Sequence, residues 1–183
     1  MNKKNIVNLF VLFMAVPFLS GAGAAIKESS TFKMRSLSFS SFQTIPARFS
    51  YYMKPQCSGD NYSPALSWTG APEETSSFAV IMHDPDGGNW THWVQFNIPS
   101  NATRLDEANG GPAVGIKGTN NFGGKGYAGP CPPSDGKTHR YIFMLFALDS
   151  KMDLPTGATR EHLEKAMAGH ILGRAVLTGT RKN

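Results

Sequence analysis

Two nearly continuous apolar runs constrain the fold of this chain most. Phe78–Met82 reads FAVIM and Tyr141–Phe146 reads YIFMLF, and polar, proline or glycine residues flank both runs within a few positions. Apolar runs of this length without polar alternation are typical of strands that are buried on both faces of a sheet. Both runs therefore predict central strands with packed layers on either side.

Other short segments rich in Val, Ile, Phe and Trp extend this core. Gly, Pro, Asn and Asp separate them, as turns between strands require. The sequence thus predicts a mainly β fold with strands at Ala65–Trp68, Ser77–His83, Trp93–Ile98, His139–Leu148 and Arg174–Thr180.

One helix is predicted near the end of the chain. Leu163, Ala166, Met167, His170 and Ile171 follow the i, i+3, i+4, i+7, i+8 spacing of an apolar helix face, and Gly173 supplies a C-terminal stop. A different pattern fills Asn109–Thr138, which holds nine glycines and four prolines. We expect this Gly/Pro-rich tract to be an ordered functional loop.

The first residues have the pattern of a secretory leader. A lysine-containing start precedes the apolar stretch Ile6–Leu19, and the small residues Ala22 and Ala24 fit a cleavage site. The stretch is shorter than the ~18–20 residues of a spanning helix, although a retained membrane anchor is the alternative. We expect a signal peptide at 1–24, a single domain at 25–183 without a transmembrane segment, and a periplasmic or secreted location.

The two cysteines fit this location. Cys57 and Cys131 form an even set in a chain that is expected to leave the cytoplasm, where disulfides persist. One bridge between them is the favoured interpretation, and two free buried thiols are the alternative. The formal net charge of +5 includes two lysines of the leader and is too mild to indicate a nucleic-acid partner.

Polar and aromatic residues are concentrated in the stretch HDPDGGNWTHW, directly after a predicted buried strand. Asp84 and Asp86 flank a proline at the strand end, and His92 lies where the next strand begins. His139 and Tyr141 open a third strand after the Gly/Pro-rich tract. We expect these three strand ends to meet at one pocket.

Two other kinds of site are less well supported by the residues. A metal site is not expected, because the sequence has no compact His or Cys ligand spacing. A hydrolase needs an activated nucleophile, yet there is no Gly-x-Ser-x-Gly elbow and both cysteines are expected to be bridged. Each polar residue taken alone also fits a structural role, such as a turn former or a hydrogen-bonded edge residue.

Five segments of the chain resemble the bacterial, Raf kinase inhibitor-like branch of the phosphatidylethanolamine-binding protein (PEBP) family. Asp-Pro-Asp, His-Trp, Pro-Pro and His-Arg-Tyr follow one another in the order typical of that family, which makes the resemblance specific. The segments are SPALSWTGAP (Ser63–Pro72), SFAVIMHDPD (Ser77–Asp86), THWVQFNIP (Thr91–Pro99), GYAGPCPPSDGKTHRYIFMLFALD (Gly126–Asp149) and EHLEKAMAGHILG (Glu161–Gly173).

The resemblance implies a β-sandwich of antiparallel sheets with small flanking helices and a surface pocket for phosphate-like anions or phosphorylethanolamine. It implies no cofactor. The residues that it assigns to the pocket are Asp84, Asp86, His92, His139 and Tyr141, with a loop wall formed by Gly129, Cys131, Pro132 and Pro133.

Three departures from the family pattern bear on this pocket. Gly87 and Gly88 replace an Ala-Pro pair, which predicts a looser wall. Asn121 replaces an aspartate, which puts charge-based selectivity in doubt. Cys131 stands where eukaryotic members have glycine, as expected for an exported version with a bridge to Cys57.

The function expected from these observations is binding without catalysis. The ligand would be a small anionic or zwitterionic molecule such as phosphate or phosphorylethanolamine. A protein-interaction or inhibitor module that uses the same pocket and loops is the main alternative. An enzyme with Asp84 and His92 as acid and base is the third.

Overall fold

The fold is built mainly from β-strands in a computed structural model that describes residues 31–108 and 115–183. The expected signal peptide at 1–24 lies outside these residues. The strands are β1 (Lys33–Ser36), β2 (Tyr52–Met53), β3 (Cys57–Ser58), β4 (Leu66–Thr69), β5 (Ser77–Asp84), β6 (Trp90–Pro99), β7 (Arg104–Leu105), β8 (Ile116–Lys117), β9 (Thr138–Leu148) and β10 (Ile171–Lys182), with helix α1 (Arg160–Met167) and a 3-10 turn at Ala47–Phe49.

The strands form antiparallel sheets. The largest has five strands in the order β10-β9-β5-β6-β8, the second has the order β1-β4-β7, and β2 and β3 form a separate hairpin. This arrangement confirms the prediction of a mainly β sandwich with small flanking helices. In the described residues, no helix is both long and apolar enough to span a lipid bilayer.

The central strands of the five-stranded sheet are packed on both faces, as the apolar runs predicted. Phe78, Val80 and Met82 of β5 join the cluster that includes residues of β1, β4 and β7. Ala79 and Ile81 join the opposite cluster, which includes residues of α1. Because neighbouring side chains of a strand point to opposite faces, a strand between two packed layers needs apolar residues at every position.

The helix is shorter than its periodicity predicted. It ends at Met167, and Gly169 follows in the left-handed region with φ +85°. The predicted continuation to a stop at Gly173 is wrong, because Ile171 already pairs with Leu148 in the last strand of the sheet. Sheet pairing has overridden a helical pattern at this point.

The predicted disulfide between Cys57 and Cys131 is present, with Cα atoms 5.8 Å apart. It joins the β2–β3 hairpin to the Gly/Pro-rich tract. The hairpin and this part of the tract are therefore held together, and the tract reaches the end of the five-stranded sheet.

Candidate functional site

A cavity of about 210 Å³ opens at the end of the five-stranded sheet, where β5 ends and β6 begins and near the start of β9. We call it the histidine cavity. The three strand ends that the sequence predicted to converge do meet here. Its lining residues are Asp84, Gly87, Trp90, His92, Phe122, Cys131, Pro132, Pro133 and His139.

The carboxylate of Asp84 is buried and held by several donors. Its Oδ1 accepts hydrogen bonds from the backbone amides of Asp86 at 2.9 Å and Gly87 at 2.8 Å. Its Oδ2 accepts a hydrogen bond of 2.7 Å from Nδ1 of His139. Nδ1 of His139 therefore carries a proton that it donates to the carboxylate, and Nε2 is left as the free ring nitrogen.

His92 has the same arrangement with different partners. Its Nδ1 donates to the carbonyl oxygens of Ala128 at 2.8 Å and Gly129 at 3.1 Å. Burial lowers the pKa of His92, and the two carbonyls and the charge of Asp84 only partly oppose this effect. The imidazole is therefore neutral at pH 7, and its Nε2 carries a free lone pair.

Tyr141 packs behind the histidine cavity and does not line it. Its ring meets the His92 ring edge-on, with centroids 5.2 Å apart. Its hydroxyl is buried and has no hydrogen-bond partner in the described part of the chain. Burial, and then the negative charge of Asp84, raise the pKa of Tyr141, so the hydroxyl keeps its proton.

Asp86 lies outside the cavity and braces the loop that follows β5. Its two carboxylate oxygens accept hydrogen bonds from the Arg140 backbone amide at 2.8 Å, Nε at 2.9 Å and Nη2 at 2.7 Å. The side-chain and then the backbone hydrogen bonds from Arg140 lower the pKa of Asp86 to about 2. Asp86 thus fixes the shape of the loop, and it has no surface on the cavity.

Gly129 also acts from behind the cavity. Its amide donates to Oδ1 of Asn61 at 2.8 Å, and its carbonyl accepts from His92. A Cβ at this position would lie 2.0 Å from the carbonyl oxygen of Phe49. Only glycine lets the two backbones approach this closely, and this approach sets the position of His92.

Aromatic side chains form the rim. Trp90 is 39% exposed and lines the cavity. The ring of Phe122 lies with its centroid 5.6 Å from those of both Trp90 and His92, and it stacks on Tyr51 at 4.2 Å. Trp93 is fully buried in the core.

The sequence did not identify Phe122 as a pocket residue. The feature that could have identified it is a large aromatic side chain within a tract made mostly of glycine and small polar residues. Such a residue needs a packing partner, and in this fold the partner is the rim of the cavity.

Two of the departures from the family pattern, Gly87-Gly88 and Asn121, lie near the rim, and the structure places them differently. Gly87 allows the loop to approach the carboxylate of Asp84 closely, since a Cβ there would lie 2.7 Å from Oδ2. The looser wall expected from Gly87 and Gly88 stays a prediction. Gly88, with φ +70°, has open space around it. Asn121 lines a different cavity.

The chemistry available to the cavity is hydrogen bonding to a polar ligand. Each histidine offers one free ring nitrogen, which accepts a proton from an acidic ligand or donates when protonated. Within residues 31–108 and 115–183, no group of three or more His, Cys, Asp or Glu side chains is arranged to hold a metal ion.

The structure is thus an antiparallel sandwich with a small cavity at the end of its main sheet, lined by two histidines, an aspartate and several apolar side chains. The chain belongs to the phosphatidylethanolamine-binding protein family, whose model matches residues 35–182. This confirms the resemblance carried by the five sequence segments.

Two curated relatives show how far the similarity extends. A UPF0098 protein of Methanothermobacter thermautotrophicus is 48% identical over 141 residues, which cover 74% of this chain and 88% of the relative. A UPF0098 protein of Aquifex aeolicus is 42% identical over 170 residues, which cover 90% of this chain and 93% of the relative.

Solved structures of two relatives share the fold. Escherichia coli YbcL, described as a new member of the mammalian PEBP family, matches with a TM-score of 0.78 at 29% identity, over 84% of this chain and 99% of YbcL. A PEBP homolog from Chlamydia trachomatis matches with a TM-score of 0.74 at 36% identity, over 85% of this chain and 99% of the homolog.

Proposed function

We propose that this chain is an exported protein that binds a small anionic or zwitterionic ligand, such as phosphate or phosphorylethanolamine, in the histidine cavity. One observation carries the proposal. His92 and His139 both line the cavity, and both have Nδ1 committed to fixed acceptors, which leaves Nε2 of each ring for a ligand. Two ring nitrogens held in position by buried partners form a preorganised pair of contacts.

The cavity suits a phosphate group in size, and its two histidines supply polar contacts within a mostly apolar wall. Its volume of about 210 Å³ is below the ~300–1,000 Å³ of sites for drug-sized ligands, so it fits a single small group. A phosphate that carries a proton donates it to a neutral Nε2 and accepts from a protonated one. An ammonium group of a zwitterionic ligand would find the faces of Trp90 and Phe122 at the rim.

We propose binding without turnover. None of the side chains that line the histidine cavity is a serine or threonine, and the sulfur of Cys131 is bonded to Cys57. Nucleophilic catalysis needs an activated hydroxyl, thiol or amine next to a base, and these lining residues supply the base alone. The Ala-x-Ala leader and the disulfide both support export to an oxidising compartment.

Isothermal titration of residues 25–183 with phosphate and with phosphorylethanolamine tests the proposal. His139→Ala removes one free Nε2 and should abolish binding. His170→Ala is the matched control, because His170 also places Nδ1 against an aspartate, Asp149 at 2.8 Å, but on the surface. It should bind like the wild type.

The result separates the possible ligands. Equal affinities for the two compounds would indicate that the phosphate group alone is recognised, whereas tighter binding of phosphorylethanolamine would indicate a contact with its ammonium group. The absence of binding of either compound at millimolar concentration would contradict the proposal, and so would binding that is unchanged in His139→Ala.

A protein partner is the second candidate, and the exposed hairpin favours it. Tyr52 and Met53 of β2 are exposed, and their hairpin is tied through Cys57 to Cys131 on the cavity wall. Apolar side chains on such a surface are typical of interaction sites. A partner isolated from the exported fraction should lose affinity when Tyr52 and Met53 are both changed to serine. A partner that is indifferent to this change would not support the idea.

A further inference from the structure

A second cavity lies behind the first, on the other side of the same backbone. It has a volume of about 370 Å³, and its walls include Asn89, Thr91, Asn121, Arg160 and Glu161. We call it the Asn/Thr cavity. In contrast to the histidine cavity, it has no aromatic side chain in its walls.

Strand alternation separates the two cavities. Thr91 of β6 and Asn89 just before the strand line the Asn/Thr cavity, whereas Trp90 and His92 line the histidine cavity. In the turn of the Gly/Pro-rich tract, Asn121 lines the Asn/Thr cavity and Phe122 lines the histidine cavity. Successive side chains of extended backbone point in opposite directions, so one stretch of chain forms a wall of each cavity.

One wall of the Asn/Thr cavity carries a hydroxyl that makes no hydrogen bond with the described residues. Thr91 is only 4% exposed, and no described residue makes a hydrogen bond with its side chain. The carbonyl of Thr91 accepts a hydrogen bond from the amide of Asn121 at 2.9 Å, and its backbone pairs with His83 in the sheet. The hydroxyl oxygen is not one of the fully buried polar atoms, so it reaches the cavity surface, where it can donate to and accept from a polar occupant.

Asn89 adds a free donor beside this hydroxyl. Its Oδ1 accepts from Nη1 of Arg160 at 3.1 Å and also contacts Nδ1 of His83. The carbonyl half of the amide is therefore occupied, and the NH₂ half has no partner among residues 31–108 and 115–183. The amide orientation is fixed by these two contacts.

The charges around the cavity exclude several ligand classes. Arg160 is paired with Glu164 at 2.6 Å, and Glu161 adds a further negative charge, so an anion would be repelled. No set of side chains suitable for a metal ion occurs in the described ranges. An apolar ligand would leave Thr91 and Asn89 unpaired, at a cost in free energy.

We propose that the Asn/Thr cavity binds a neutral saccharide. Sugar hydroxyls both donate and accept hydrogen bonds, and they match a wall that mixes the Asn89 NH₂ group, the Thr91 hydroxyl and the Glu161 carboxylate. The volume of about 370 Å³ falls at the small end of the ~300–1,000 Å³ range of ligand cavities, as one or two sugar rings require. This site is independent of the ligand proposed for the histidine cavity.

Titration of residues 25–183 with glucose, galactose and N-acetylglucosamine, followed by NMR amide shifts, tests this proposal. At least one sugar should shift the amides of Thr91 and Asn121 saturably. Thr91→Val keeps the β-branched shape and removes the hydroxyl, so it should weaken binding about tenfold without lowering the melting temperature. Asn121→Ala, at an exposed position, is a second variant in case Thr91→Val does not fold.

His139→Ala separates the two sites. It should keep sugar binding intact, because its side chain lines the other cavity. Three results would overturn the proposal: no saturable shift with any of the sugars, sugar binding unchanged in both Thr91→Val and Asn121→Ala, or sugar binding lost in His139→Ala.

Discussion

Asp84 and His139 are 55 positions apart in the chain, and a hydrogen bond of 2.7 Å between Oδ2 and Nδ1 joins them in an almost fully buried environment. The side chains are 5% and 7% exposed, respectively. His170 and Asp149 form the same kind of pair at 2.8 Å with 47% and 42% exposure. The protein thus contains a buried and an exposed version of one interaction.

Asp84→Ala should destabilise the fold by about 3 kcal/mol, because it leaves the His139 ring and two backbone amides without their buried acceptor. Urea denaturation at pH 7 measures the change. Asp149→Ala removes the exposed acceptor and should leave the unfolding curve nearly unchanged. Equal losses in both variants would show that burial of the Asp84 pair has no energetic consequence.

The stability should fall as the pH is lowered below about 6.5, and His92 should account for part of this fall. Burial lowers the pKa of His92 in the folded protein below its usual value of 6.5, so the unfolded chain binds the proton more tightly. The stability that neutral His92 provides is complete above pH 6.5 and is lost as the pH falls toward the lowered pKa. The free energy of unfolding, measured between pH 8 and pH 5, should depend less on pH in His92→Gln.

Burial also lowers the pKa of His83, so that residue contributes with the same sign. His83→Gln measured over the same range separates the two contributions. If His92→Gln leaves the pH dependence as it is in the wild type, the interpretation of His92 as a neutral buried base is wrong.

Anion binding should strengthen as the pH falls. Sulfate is a suitable probe because its charge does not change in this range. A bound anion favours the protonated form of His92, so binding takes up a proton at any pH above the lowered pKa of the free residue. Calorimetric titration at pH 7.5 and pH 6 should give higher affinity at the lower pH. His92→Gln should reduce this difference, and a difference that persists in full would assign the proton to another group.

Removal of the disulfide should affect both stability and binding. Cys57 and Cys131 are 74 positions apart, and cross-linking a loop of this length stabilises a fold by about 4 kcal/mol in the chain-entropy model. Cys57→Ala with Cys131→Ala should lower the free energy of unfolding by about this amount. It should also weaken anion binding, since residue 131 lines the histidine cavity. A weaker fold with unchanged affinity would show that the wall holds its shape without the bridge.

Gly129→Ala should disrupt the site from behind. The added Cβ would meet the carbonyl oxygen of Phe49 at 2.0 Å, so the backbone that holds His92 must move. We expect a loss of about 3 kcal/mol or failure to fold. Gly123→Ala is the control, because φ is +82° there but nothing lies within 4 Å, and its cost should be about 1 kcal/mol. Thermal unfolding distinguishes the two variants.

The central strands could be predicted because both of their faces are buried. In β5 and β9, an unbroken apolar run leaves little choice of structure, and the predicted strands lie within a residue of the observed ones. The short strands β2, β3, β7 and β8 were not predicted. They have two residues each and few apolar positions, so tertiary contacts rather than local sequence define them.

The site could be predicted only in part. The meeting of Asp84, His92 and His139 followed from their positions at strand ends. The contacts through which Asp86 and Gly129 support the pocket could not be predicted, because each depends on a partner that is far away in sequence, namely Arg140 and Phe49. The placement of Asn121 on the second cavity could not be inferred either, since loop direction has no periodic signal.

The alternation of Asn89, Trp90, Thr91 and His92 makes the length of this segment as important as its residue types. Deletion or insertion of a single residue between Asp84 and His92 would shift the strand by one position and turn every later side chain of the segment to the opposite side. The imidazole of His92 would then enter the Asn/Thr cavity, and the side chain of Thr91 would enter the histidine cavity. Substitutions at this point can therefore alter one cavity at a time, whereas a change in chain length must alter both.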